Sequence, residues 1–214
     1  MVNLSCPQAQ KGDAMSYKTL TNIPNIIRET SRGFDAIRIE DELLQSREIF
    51  LTDAVDAESM ECIIKQLMYL YREDPESEIT MYINSPGGEV QSGLAVYDFM
   101  KLIQVPIRTV CIGTAASMGA ILFLAGEKRV MMPHSRVMIH DPAPGGGSME
   151  GMKPDAMEER LKDLKKIQDV TISIISDTTG KSELEVREKT KKDSYFDAEE
   201  AVDFGLATEI ITSL

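Results

Sequence analysis

Short apolar blocks recur along the chain at Arg47–Leu51 (REIFL), Ile79–Asn84 (ITMYIN), Ile107–Gly113, Arg129–Met132 and Arg136–His140, and each predicts a strand. Between them the apolar spacing changes to that of a helix. Met60, Ile63, Leu67 and Leu70 make one apolar face behind Asp56, which can cap it. Val90, Leu94 and Tyr97 share a side of a second helix that follows Ser85-Pro86-Gly87-Gly88. A third helical pattern runs from Ala115 to Ala125, directly after the strand that ends at Gly113. Strands and helices in alternation imply an α/β fold with a parallel sheet.

The flanks are patterned differently. Met1 to Thr21 is polar and unpatterned, the mark of a mobile arm or a removable leader, so residues 22–214 are expected to form a single domain. Ile23 to Leu44 carries two short helical patterns separated by Gly33. After His140, Asp-Pro-Ala-Pro-Gly-Gly-Gly is a loop, and a long helix is predicted from Pro154 to Asp177, with Met157, Leu161, Leu164, Val170 and Ile174 apolar. At 1.5 Å per residue it would extend about 36 Å, more than a small domain needs, so it is expected to meet a partner. Gly180 stops it. Ser182 with Glu185 forms a capping box for a short helix to Thr190, Ser194–Phe196 is a strand, Asp197 with Glu200 caps a helix ending at Gly205, and Thr208–Ile211 is a terminal strand.

Composition narrows the function. The 214 residues carry 35 Asp and Glu against 23 Lys and Arg, a net charge of −12, and such a surface repels nucleic-acid phosphates and anionic lipid headgroups. Neither is an expected partner. Cys6, Cys62 and Cys111 are scattered and unpaired by spacing, so neither a disulfide framework nor a zinc site is indicated; Cys62 and Cys111 read as core. No apolar run reaches the roughly 18 residues of a membrane span, and the expected location is a reducing cytoplasm. Gly180-Lys181-Ser182 resembles the end of a P-loop, but Ile175 stands where its first glycine is required. No nucleotide, metal or other cofactor is implied.

The candidate chemistry gathers where strands end. Ser117 sits at the mouth of the third helix, among unpaired N–H groups and the positive end of the helix dipole, which favour charge developing on oxygen. Ala115-Ala116-Ser117-Met118-Gly119 is one methyl from the nucleophile-elbow pattern. A helix cap is the competing reading of Ser117. Of the two histidines, His134 opens a strand and His140 ends one, and ligand-binding groups of parallel sheets lie at carboxyl ends, which favours His140 as a base. Asp141 follows His140 directly, and neighbours in a strand point to opposite faces, so it is poorly placed to orient the imidazole. Asp56 and Asp197 have capping duties. Asp193, before a strand and between Lys192 and Ser194, has no structural duty and is a candidate by elimination.

YINSPGG at Tyr82–Gly88, GTAASMGA at Gly113–Ala120 and SRVMIHDP at Ser135–Pro142 resemble the proteolytic subunit of the Clp protease. The resemblance runs from about Ile23, through TSRG at Thr30–Gly33 and LLQSREIFL at Leu43–Leu51, to EAVDFGLA at Glu200–Ala207. It implies the crotonase-like ββα spiral with a projecting long helix, or handle. It further implies a nucleophile at Ser117, a base at His140, an aspartate at Asp193 and an oxyanion hole made by the N–H groups of Gly88 and Met118. The implied assembly is two stacked seven-membered rings of one chain, fed with unfolded polypeptides by a separate ATP-driven unfoldase of the AAA+ class. Asp141-Pro142-Ala143-Pro144, SMEGMKPDAMEER from Ser148 and Lys192 depart from the family pattern in places that bear on ring stacking, while the three catalytic residue types are intact.

The expected activity is therefore that of a serine endopeptidase cutting unfolded chains inside a chamber. Two alternatives remain open at this point. One is an acyl-CoA hydratase or isomerase of the same fold, which would use the two N–H groups but a carboxylate for proton transfer. The other is a catalytically silent ring subunit in a mixed complex.

Overall fold

A computed structural model describes residues 25–31, 33–143 and 152–213, and the chain divides into two units after Glu42. The expected arm, Met1 to Thr21, and the Pro144–Gly147 end of the loop after His140 lie outside the described residues. In the first unit β1 (Asn25–Thr30) and β2 (Gly33–Arg38) pair as an antiparallel hairpin. This corrects the two helical patterns expected for Ile23 to Leu44, of which only the end gives a helix, α1 (Ile39–Gln45). The rungs pair Ile26 with Ile37 and Arg28 with Asp35, matching apolar with apolar and cation with anion. Such pairs are distant in sequence, whereas short apolar runs fit either period when read alone.

The second unit alternates β3 (Glu48–Leu51), α2 (Ala57–Glu73), β4 (Ile79–Ser85), α3 (Val90–Leu102), β5 (Ile107–Ala116), α4 (Met118–Leu124), β6 (Lys128–Met131) and β7 (Arg136–Ile139). There follow α5 (Pro154–Thr179), α6 (Glu183–Thr190), β8 (Ser194–Phe196), α7 (Ala198–Phe204) and β9 (Glu209–Ile210). The strands β3-β4-β5-β6-β9 are mutually parallel in that order. β5 is long enough to serve two partners. Its first part, Arg108–Cys111, pairs with β6, and its end, Thr114–Ala116, pairs with β7; β8 then runs antiparallel to β7. The strand thus continues three residues beyond the expected end at Gly113, because β7 supplies a ladder that local pattern does not reveal.

Helix burial follows the sequence with two corrections. Asp56 makes a capping box with Ser59, and Met60, Ile63, Leu67 and Leu70 are buried as expected, each contributing about 2 kcal/mol by burial alone. Cys62 lies off that stripe and is exposed, its sulfur accepting from Gln66 Nε2 at 3.1 Å, while Cys111 is buried in β5. In α3 the fully buried line is Gly93, Val96 and Met100, with Val90, Leu94 and Tyr97 only partly covered. Gly93 lets Met118 come close: a Cβ there would stand 2.4 Å from Met118 Cε. All seven residues of α4 are buried, so this helix is apolar on every side.

Helix α5 has 26 residues, about 39 Å, and ends at Gly180 in a left-handed cap. Its buried residues, Thr171, Ile172, Ile174 and Ile175, all lie in the C-terminal half. Leu161 and Val170 are exposed. Among the described residues no helix is long and apolar enough to cross a membrane.

Candidate active site

Ser117 joins β5 to α4 with φ 54° and ψ −121°, the conformation of the first central residue of a type II′ turn, where glycine is preferred. A serine there is strained by on the order of 1–3 kcal/mol, and its surroundings must hold it. They do so from both sides. The Ser117 amide donates to the Met138 carbonyl at 2.9 Å, tying the turn to β7, and the wholly buried α4 fixes the other end. The hydroxyl makes no cap hydrogen bond, which disposes of the competing reading of this serine. It lies instead 2.9 Å from His140 Nε2.

His140 follows the last residue of β7, and the register explains its second contact. Ile139 pairs with Ser194 across the antiparallel β7–β8 ladder, so the next rung brings His140 opposite Asp193. His140 Nδ1 is 3.0 Å from Asp193 Oδ1. The imidazole is 28% exposed and the carboxylate 62%, so the outer half of the array is wet and its electrostatic coupling is screened. The Asp141 amide donates to the Thr190 carbonyl at 2.8 Å, bracing the segment that delivers Asp193. His134 lies exposed at the turn between β6 and β7 and takes no part.

The turn after β4 packs against the turn after β5. Gly87 has φ 85° and Gly88 φ 153°, and a Cβ on Gly87 would stand 2.5 Å from the Ala116 carbonyl oxygen and 2.7 Å from Ser117 Cβ. Only glycine permits that approach. The turn is fastened by Val55, whose amide donates to the Gly87 carbonyl at 2.9 Å and whose carbonyl accepts from the Glu89 amide at 2.7 Å. Ser85 Oγ accepts from the Gly87 amide at 3.1 Å and donates to the Asp53 carbonyl at 2.6 Å. Among the described residues these bonds leave the Gly88 and Met118 amides without a backbone acceptor, the second at the first position of α4.

An apolar pocket opens beside Ser117 and His140, walled by Val90, Met118, Ile121, Ile139, Thr171 and Ile175. A groove that shares Val90 and Pro142 continues from it along α5, past Leu164 and Ile167. The contribution of α5 to this wall is absent from the sequence reading, although the apolar period at Thr171, Ile174 and Ile175 was a usable signal. Among the described residues no group of three or more His, Cys, Asp or Glu side chains is placed to hold a metal ion.

The five residues singled out in the sequence thus fall together: a hydroxyl, an imidazole and a carboxylate in one hydrogen-bonded line, flanked by two turns with free N–H groups. Such a line can move a proton from oxygen to nitrogen and hold the cation that results. A family model described as Clp protease matches residues 31–214.

Proposed function

This chain belongs to the Clp protease family, and from that premise we propose that it is a serine endopeptidase whose nucleophile, base and orienting carboxylate are Ser117, His140 and Asp193. Its fold is the family's crotonase-like arrangement, with α5 as the long helix. The observation that carries the reading is the continuous line from Ser117 Oγ to His140 Nε2, 2.9 Å, and from His140 Nδ1 to Asp193 Oδ1, 3.0 Å.

In this reading Ser117 Oγ attacks the carbonyl carbon of a peptide bond and its proton passes to His140 Nε2. Asp193 holds the tautomer with Nδ1–H and stabilises the imidazolium. The oxyanion lies between the Gly88 and Met118 amides, which face a charge present only after attack and so favour the transition state over the substrate. The imidazolium then gives its proton to the leaving amine as the C–N bond breaks, and water, deprotonated by the same imidazole, releases the acyl group from Ser117.

The family's members are oligomeric proteases that work with Clp ATPases. For this chain we read a cytoplasmic homo-oligomer of two stacked seven-membered rings, with α5 between the rings and the unfolding work left to the ATPase. The exposed Leu161 suits such a contact. Charge at Leu161 and Leu164 should then halve the particle mass in mass photometry.

An organophosphonate serine probe tests the central claim. It should label Ser117, and Ser117→Ala should abolish labelling and cleavage of a short unstructured peptide while the fold persists. Labelling that survives the substitution, or turnover of acyl-CoA in place of peptide, would overturn the assignment.

A further inference from the structure

We infer that Asn84 is a positioning residue that sets the separation between the two turns and, through it, between the Gly88 and Met118 amides; the inference rests on the serine-peptidase reading of that site. The β4–β5 ladder breaks at Asn84. β4 and β5 pair in regular parallel register as far as Ile83 with Cys111, but the next pair is Ser85 with Ala115. One residue of β4, Asn84, therefore spans three of β5, Ile112, Gly113 and Thr114. At this bulge β5 leaves β6, whose last pair is with Cys111, and takes up β7, whose first is with Thr114.

A bulge of this size disrupts the main-chain ladder and must be held in some other way. The Asn84 side chain supplies the acceptor: its Oδ1 takes the Thr114 amide at 3.0 Å. Gly113 is the complementary part. A Cβ there would stand 2.5 Å from Asn84 Oδ1 and 3.0 Å from its Cγ, so the carboxamide oxygen closes in on a residue without a side chain.

Asn84 also stands at the branching point of both turns. Ser85, the next residue, anchors the Gly87–Gly88 turn through its hydroxyl, and Thr114 lies three residues before Ser117. One side chain therefore ties the strand feeding one turn to the strand feeding the other. Asn84 reaches no reacting atom; its effect on cleavage must pass through the spacing of the two amides, which matters after the nucleophile has attacked.

The test is a set of substitutions on the full-length protein with a short chromogenic peptide. Asn84→Ala and Asn84→Leu remove the acceptor, and kcat should fall roughly tenfold with KM within about twofold. Asn84→Asp keeps an acceptor oxygen in place and should restore most of kcat. Gly113→Ala should cost activity in the parent, where it strikes the carboxamide, and much less in Asn84→Ala, where the obstacle is gone. Equal losses in Asn84→Asp and Asn84→Ala, or an unchanged cost of Gly113→Ala in the two backgrounds, would overturn the inference. If the parent cleaves no peptide, the peptidase reading fails by itself. Hydrogen exchange of the Thr114 amide then decides the role of Asn84: protection lost in Asn84→Ala and kept in Asn84→Asp supports it, and protection unchanged in both refutes it.

Discussion

The two strand-to-helix turns of the site reach a similar end by different means. After β4 the positive φ angles fall on Gly87 and Gly88, where they are nearly free of strain, and the turn is fastened by Val55 and Ser85. After β5 the positive φ falls on Ser117, whose side chain is the hydroxyl that the proposed mechanism uses. Glycine solves a geometric problem where only the backbone is used. Where a hydroxyl has to stand at the apex, the strain is accepted and the buried α4 and the bond to Met138 resist it.

Breaking the glycine turn should have the largest effect. In Gly88→Ala the new methyl meets the Val55 carbonyl and φ 153° is no longer tolerated, so the Gly88 amide must move. A fall in kcat of roughly 10²–10³ is expected, the loss associated with one oxyanion donor, measured on the short peptide. Activity within threefold of the parent would mean that this turn holds no donor.

The serine turn is sharpened by comparing two variants that the proposed mechanism makes inactive. Ser117→Ala and Ser117→Gly both lose the hydroxyl, but only glycine relieves φ 54°. The glycine variant should be the more stable by about 1 kcal/mol, a rise in Tm of roughly 2–4 °C over the alanine variant. Equal melting temperatures would show that the apex is not strained. Gly180→Ala gives the contrast away from the site. Its φ is 70° and nothing lies within 4 Å of a new Cβ, so stability should fall by about 1 kcal/mol in urea titration with peptide cleavage unchanged.

The smallest effect concerns the strand that feeds the serine turn. Burial pushes the Cys111 thiol up, against the hydrogen bonds around it that favour the thiolate. An unfolded chain ionises this thiol at a pH where the folded chain does not. Its contribution is therefore complete below the ordinary thiol range and declines as pH rises through and beyond it. Urea midpoints should drop less between about pH 7 and 10 in Cys111→Ala than in the parent. In the native protein iodoacetamide should modify the exposed Cys62 and spare Cys111.

The sequence alone determined the local half of this picture. Asp56 and Asp197 cap their helices as expected, α2 buries the stripe its period announces, and His140 stands where the apolar run of β7 stops. These features are legible because caps and periods involve residues within about four positions of one another. Tertiary structure decided what depends on distant partners. The β1–β2 hairpin exists through rungs such as Ile26 with Ile37, and β5 runs on to Ala116 because β7 receives it. Asp193, one acid among thirty-five, is singled out by a register between β7 and β8 that brings it to His140 across 53 positions of sequence. The strain at Ser117 belongs to the same class. No property of serine calls for a left-handed apex; the sheet on one side and the buried helix on the other leave it no alternative.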